Sequence, residues 1–328
     1  MEPYLKIVST GISVPDKVLT NQDLEKMVET SDEWIITRTG IRERRVSAPG
    51  VASSDLGTQA AQMALDAAGI SAAEVELLLV ATASGDYLFP STACVVQKNL
   101  GADQATAFDI SAACSGFLYG LTVAYSLMKS GSYRNALVIG AETLTKITDY
   151  QDRSTCVIFG DGAGAMLVTL GNDNNNGIFA SHLGSDGKFT TLSNLPAGGT
   201  RLPATADTVR QHRHFIKMEG NELFKVAVRS MEEAARLTLK KAGLTTADVD
   251  ILIPHQANLR IINALIKRLG IPDERVYINI ERYGNTSAAS IPIAYHEARS
   301  KGLLSEDSVV LLVAFGGGIT WAGVLLRG

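Results

Sequence analysis

The chain contains a second copy of its own pattern. Ala68–Leu78 (AGISAAEVELL) reads almost like Ala242–Leu252 (AGLTTADVDIL), and the apolar run Ala136–Ala141 corresponds to Val310–Phe315. The offset is constant, since Gly69 and Gly243, Val75 and Val249, and Ala136 and Val310 are each 174 residues apart. A duplicated unit of that size is too large for a solenoid repeat and predicts two homologous domains packed as a pseudo-dimer. Between the copies lies the Asn-rich stretch Gly171–Gly177, whose residues favour turns. We therefore expect an N-terminal half of residues 1–172 and a C-terminal half of residues 173–328.

Within each half helical patterns alternate with short apolar runs. The spacing predicts a helix over about Asp55–Ala68, a strand Glu76–Thr82, a helix Thr92–Leu100 and a strand Ala105–Ile110. Runs without polar alternation indicate strands covered on both faces, so we expect layered α/β structure with a mixed, largely parallel sheet in each half. The start of the chain, Met1–Gly11, reads as a strand rather than a signal peptide. A looser stretch, Gly184–Asp207, reads as an insertion over the core ahead of a long helix of about Glu219–Ala242.

Composition narrows the function classes. Thirty basic against thirty-four acidic residues give a net charge of -4, which argues against a generally basic nucleic-acid binder. No apolar run approaches the roughly 18 residues that span a bilayer, so we expect no membrane segment. Three cysteines make no disulfide framework, and a reducing, cytoplasmic setting is expected.

Cys114 lies where the apolar run Phe108–Ile110 stops, small residues follow and a helical pattern of Leu118, Leu121, Ala124 and Leu127 begins. At such a junction the helix dipole and unsatisfied N–H groups are expected to lower the thiol pKa and favour a nucleophilic thiolate. The alternative is a core thiol, the reading given to Cys94 and Cys156 within their apolar segments. His255, after the run Val249–Ile253, stands at another strand-to-helix junction, where a histidine is either structural or catalytic. Asn285 precedes a further helix near the repeat counterpart of Cys114, and fits an N-cap as well as a site. In layered α/β folds sites gather at strand C-terminal ends, which favours the functional reading of all three. The Gly160–Gly164 and Gly316–Gly318 segments precede strand-like runs and not helices, so they suit close backbone approach or an oxyanion better than a nucleotide phosphate.

Four motifs in order, Ala112-Ala-Cys-Ser-Gly116, Pro254-His-Gln-Ala-Asn258, Gly284-Asn-Thr-Ser-Ala-Ala-Ser290 and Phe315-Gly-Gly-Gly-Ile-Thr-Trp321, resemble β-ketoacyl-acyl carrier protein synthase III. Thr30–Ile35 and Thr37–Arg44 extend the resemblance to the start of the chain. It implies a thiolase-like α/β fold with duplicated halves in a five-layered αβαβα sandwich, a homodimer, and a decarboxylating Claisen condensation. In that reaction Cys114 takes an acyl group from a short acyl-CoA, and malonyl-acyl carrier protein then supplies the attacking carbanion. The resemblance implies an oxyanion hole at the N–H groups of Cys114 and Gly317, with His255 and Asn285 donating to the malonyl thioester oxygen. It places Trp34, Arg38, Arg153, Asn221 and Asn258 on CoA, and Phe89 in the acyl pocket of the dimer partner. Lys225, Arg260, Lys267 and Arg268 would dock the acidic carrier protein. No permanently bound cofactor, metal, nucleic acid or membrane is implied.

Other readings are weaker. A thiolase usually has a second cysteine near its end, whereas Cys156 is the last here; hydroxymethylglutaryl-CoA synthases use a glutamate for proton transfer. Condensing enzymes that prime quinolones or polyketides keep the same three residues. A papain-like hydrolase would also use Cys, His and Asn, but the local Cys-Gly-Ser-Cys-Trp signature is missing and a duplicated α/β chain does not suit that fold.

Overall fold

The computed structural model describes residues 4–171 and 177–328, so the Asn-rich break and the boundary at residues 172 and 173 lie outside the described residues. In the first half strands β1 (Tyr4–Ser13), β2 (Leu77–Ala81), β3 (Thr106–Ile110), β4 (Asn135–Thr143) and β5 (Asp161–Gly171) alternate with helices α1 (Ser53–Ala68), α2 (Thr92–Leu100) and α3 (Gly116–Lys129). The second half answers with strands β6 (Gly177–Ser185), β7 (Ile251–Pro254), β8 (Val309–Gly316) and β9 (Thr320–Arg327), and helices α4 (Gly220–Ala242), α5 (Leu259–Leu269) and α6 (Ser290–Ser300). The hydrogen-bonded order is β7-β8-β9-β6-β1-β5-β4-β2-β3. β1 and β6 share only the pair Leu5 and Ile178, so the halves are two sheets joined at one point. Each runs in the same order, and Val276 bridges Leu252 in parallel where β3 pairs with β2 in the first half.

The apolar runs alternate between two cores. In β2, Leu77, Leu79 and Ala81 face one core while Leu78 and Val80 face another, because successive side chains point to opposite sides of a strand. The first core lies between the two sheets and contains α3 and α6 through Phe117, Leu121, Ile291 and Tyr295. Helices α1 and α2 cover the outer face of one sheet, and α4 and α5 that of the other, giving five layers. α5 shows the local logic: Asn258 caps its start, Ile261, Ile262, Leu265, Ile266 and Leu269 bury one side, and Gly270 ends it in a left-handed conformation. Gly69 and Gly243, the first sign of the repeat, end α1 and α4 in that same conformation, which explains why glycine recurs there.

Two expectations need correction. The sheets are mixed, but antiparallel pairs outnumber parallel ones, because β5 and β9 run against both of their neighbours. Cys94 is exposed: the inward positions of α2 are Thr92, Ala93 and Val96, and the thiol points away from them. Cys156 is buried as expected. No helix among the described residues is long and apolar enough to cross a membrane.

Candidate active site

Each half carries the same sharp turn between a strand and a central helix. Ala113 has φ 45° and Ser287 φ 48°, 174 residues apart, and each opens a short 3-10 turn leading into α3 or α6. A left-handed backbone at a non-glycine residue costs about 1–3 kcal/mol and persists only where the surroundings impose it. Around Cys114 they do: the Ala112 carbonyl accepts from Ser115 Oγ at 2.8 Å and from Thr320 Oγ1 at 2.9 Å. The turn presses on the end of β8, where a Cβ on Gly316 would stand 2.6 Å from Ala112 O and 2.9 Å from Cys114 N. Only glycine admits that approach, which gives the Gly316–Gly318 run its purpose.

Cys114, His255, Asn285 and Gly317 line one cavity of about 720 Å³. His255 follows β7 and is fully buried; its Nδ1 lies 2.7 Å from Ser290 Oγ, and its Nε2 has no partner. Ser290 Oγ also accepts from the Gln256 N–H at 3.4 Å, which leaves its own proton for Nδ1 and assigns the ring proton to Nε2. Burial lowers the His255 pKa to about 3, so the ring is neutral at physiological pH. Asn285 is buried with its Oδ1 accepting from Ser287 N at 2.8 Å, the cap-like contact foreseen for it, and this turns the amide –NH₂ away from that bond as a fixed donor.

The thiol itself departs from expectation. Burial raises the Cys114 pKa to about 12; the Ser287 hydroxyl and the N–H groups of Cys114 and Gly317 lower it, and the nearby Glu142 raises it further. A helix start is present, as expected, but desolvation of the charged form outweighs what those donors return.

The cavity also brings together Trp34, Arg38, Asn221, Asn258, Lys225 and Arg260. Arg38 and Arg153 lie 5.9 and 5.0 Å from the Trp34 ring centroid, although Arg153 donates to Glu29 O and does not line the cavity. Asn258 is already engaged, capping α5 and donating to Arg38 O at 3.1 Å. Phe89 lies outside the cavity of its own chain and is 86% exposed. Of the basic residues, Arg268 pairs with Glu232 at 2.9 Å and Lys225 with Glu222 at 2.7 Å; Arg260 and Lys267 are exposed. The Gly184–Asp207 insertion does reach the site, with Ser193 lining it beside Gly317.

Comparisons with known proteins agree with this geometry. The family described as 3-oxoacyl-[acyl-carrier-protein (ACP)] synthase III matches residues 108–187, and its C-terminal counterpart matches residues 239–328. The β-ketoacyl-[acyl-carrier-protein] synthase III of Caldanaerobacter subterraneus is 53% identical over 98% of this chain and 97% of its own length. The chain belongs to the β-ketoacyl-acyl carrier protein synthase III family. A solved synthase III from Aquifex aeolicus is 51% identical, covers 99% of this chain and all of its own, and superposes with a TM-score of 0.90. The priming β-ketosynthase of the R1128 polyketide pathway, 34% identical over 99% of this chain and 97% of its own, gives 0.91. The thiolase-like fold of the family is thus the fold of this chain.

Sequence reasoning missed Glu142, Ser287 and Ser290. Glu142 is the one charged residue in the buried strand β4, and a lone acid closing an apolar run was a usable signal. The serines lie in the quoted motif around Asn285, and only their placement against Cys114 and His255 distinguishes them.

Proposed function

We propose that this chain carries out the initiating condensation of fatty-acid synthesis, joining an acyl-CoA to malonyl-acyl carrier protein with loss of carbon dioxide. The observation that carries the reading is the meeting of Cys114, a neutral His255 and Asn285 in one cavity, in a chain about half identical to synthases III. Cys114 attacks the acyl-CoA thioester, and CoA leaves. The N–H groups of Cys114 and Gly317, both close to the sulfur, receive the oxyanion. In the second half-reaction His255 Nε2–H and the Asn285 amide donate to the malonyl thioester oxygen as carbon dioxide departs. Neither group is charged, and both are fixed by Ser290 and Ser287, so they stabilise an enolate without giving up a proton.

CoA enters over Trp34, with Arg153 and Arg38 on its nucleotide end and Asn221 and Asn258 along the pantetheine arm. Arg153 already stacks on Trp34, so an adenine entering between them moves the guanidinium outward. Lys225, Arg260, Lys267 and Arg268 dock the carrier protein, Arg260 and Lys267 with the fewest competing partners. A second copy of the chain completes the acyl pocket through Phe89. Tyr87 and Leu88 beside it are 63% and 82% exposed, and β3 is a half-exposed edge strand with apolar residues, a pattern that a dimer partner would cover. A cytoplasmic location suits the three free thiols. Every group the reaction needs is a side chain or amide of the protein, so the reading asks for no bound cofactor.

Incubation with labelled acetyl-CoA, or with branched or longer acyl-CoA, tests the first step. Mass spectrometry is expected to place one acyl group on Cys114; acylation of no cysteine by any of these donors would overturn the reading.

A further inference from the structure

Glu142 closes β4 directly behind the nucleophile and is fully buried. Its carboxylate accepts from Ala83 N at 3.0 Å, Ala288 N at 3.4 Å, Thr82 Oγ1 at 3.3 Å and the Ser84 hydroxyl. These partners are neutral, and Cys114 is the titratable group that faces it. Ser287 Oγ is buried without a fully formed hydrogen bond, yet stands close enough to Cys114 and Glu142 to act on both. The left-handed turn at Ser287 holds the hydroxyl there. No hydrogen bond joins His255 to Cys114 among the described residues, and the His255 Nδ1 is committed to Ser290.

We propose that Ser287 and Glu142 form a proton relay that takes the proton of Cys114 during acylation and returns it after condensation; the proposal rests on the acyl-Cys114 reading above. The Cys114 S–H bond breaks as its proton passes to Ser287 Oγ, and the Ser287 hydroxyl proton passes to the Glu142 carboxylate. The thiolate attacks the thioester carbon, and CoA leaves as a thiolate that takes a proton from solvent. When the enolate attacks the acyl group and the tetrahedral adduct collapses, Cys114 departs as thiolate and regains its proton from Glu142 through Ser287. The buried site thus holds one negative charge throughout, on Glu142 or on sulfur. Ionising the thiol beside an unchanged Glu142 anion would instead place two like charges there, which their mutual repulsion opposes.

The test is rapid-quench acylation of the full chain by acetyl-CoA, in water and in deuterium oxide, from pH 5.5 to 9. Glu142→Gln and Ser287→Ala are each expected to slow acylation about 100-fold, the low end of general-base contributions, and to abolish the solvent isotope effect. Decarboxylation by enzyme already acylated should be nearly unchanged, Glu142→Asp should restore part of the acylation rate, and the two losses should not add. If Glu142→Gln does not fold, Ser287→Ala decides alone, since it leaves the other Glu142 bonds in place. Wild-type acylation rate and pH profile in Ser287→Ala would overturn the relay, as would equal loss of both half-reactions. Wild-type enzyme that forms no acyl-Cys114 would overturn the functional reading instead.

Discussion

Ser290→Ala isolates the role given to His255. The wild-type hydroxyl lies 2.7 Å from Nδ1 of a fully buried ring whose Nε2 is left free. Its removal strands a buried ring nitrogen and releases the tautomer that carries hydrogen on Nε2. Leaving such an atom unsatisfied costs about 1–3 kcal/mol. If that loss is felt where Nε2–H meets the developing enolate, decarboxylation slows about 5- to 150-fold, at 1.36 kcal/mol per tenfold. Acylation of Cys114, in which His255 takes no part, should continue at the wild-type rate. Rapid-quench measurement of carbon dioxide release from pre-acylated enzyme, beside the acylation burst, separates the two steps, and Ser290→Thr should restore the first. Equal slowing of both steps, or unchanged decarboxylation, would refute the tautomer argument.

Other perturbations bear on neighbouring claims. Asn285→Asp is expected to slow decarboxylation more than acylation in the same experiment, because an anion replaces a fixed donor to the enolate. Gly316→Ala puts a methyl against Ala112 O and Cys114 N; thermal melting should show a loss of about 1–3 kcal/mol and the burst a loss of acylation. Wild-type stability should fall relative to His255→Asn as pH drops from 7.5 to 5 in denaturant titrations. The unfolded ring binds a proton below its ordinary pKa of 6.5 while the folded ring waits until about 3, a difference of about 2 kcal/mol at pH 5. Arg260→Glu together with Lys267→Glu should raise the KM for malonyl-acyl carrier protein about tenfold, the effect fading in salt, with acylation by acetyl-CoA unaltered.

The fold was legible because the repeat preserves physical necessities. Gly69 and Gly243 recur as left-handed helix ends, and β4 and β8 recur as strands buried on both faces. Strand direction was less legible, since an apolar run packs equally well parallel or antiparallel. Cys114, His255 and Asn285 could be picked out because each stands where a buried segment ends and a helix begins. The thiol pKa could not, because it depends on desolvation and on Glu142, 28 residues away along the chain, as well as on the helix start the sequence displays. Cys94 misled for a related reason: an apolar neighbourhood does not reveal which side of a helix a residue occupies.

The central claim is that Cys114 carries the acyl group which a decarboxylated malonyl unit then takes. Enzyme acylated by labelled acetyl-CoA, freed of CoA and mixed with malonyl-acyl carrier protein, tests it in one turnover. The account predicts that label leaves Cys114 as 3-oxoacyl-acyl carrier protein, with one carbon dioxide released per label transferred. Label that departs only as free acid, or remains on Cys114 while carbon dioxide is released, would contradict it.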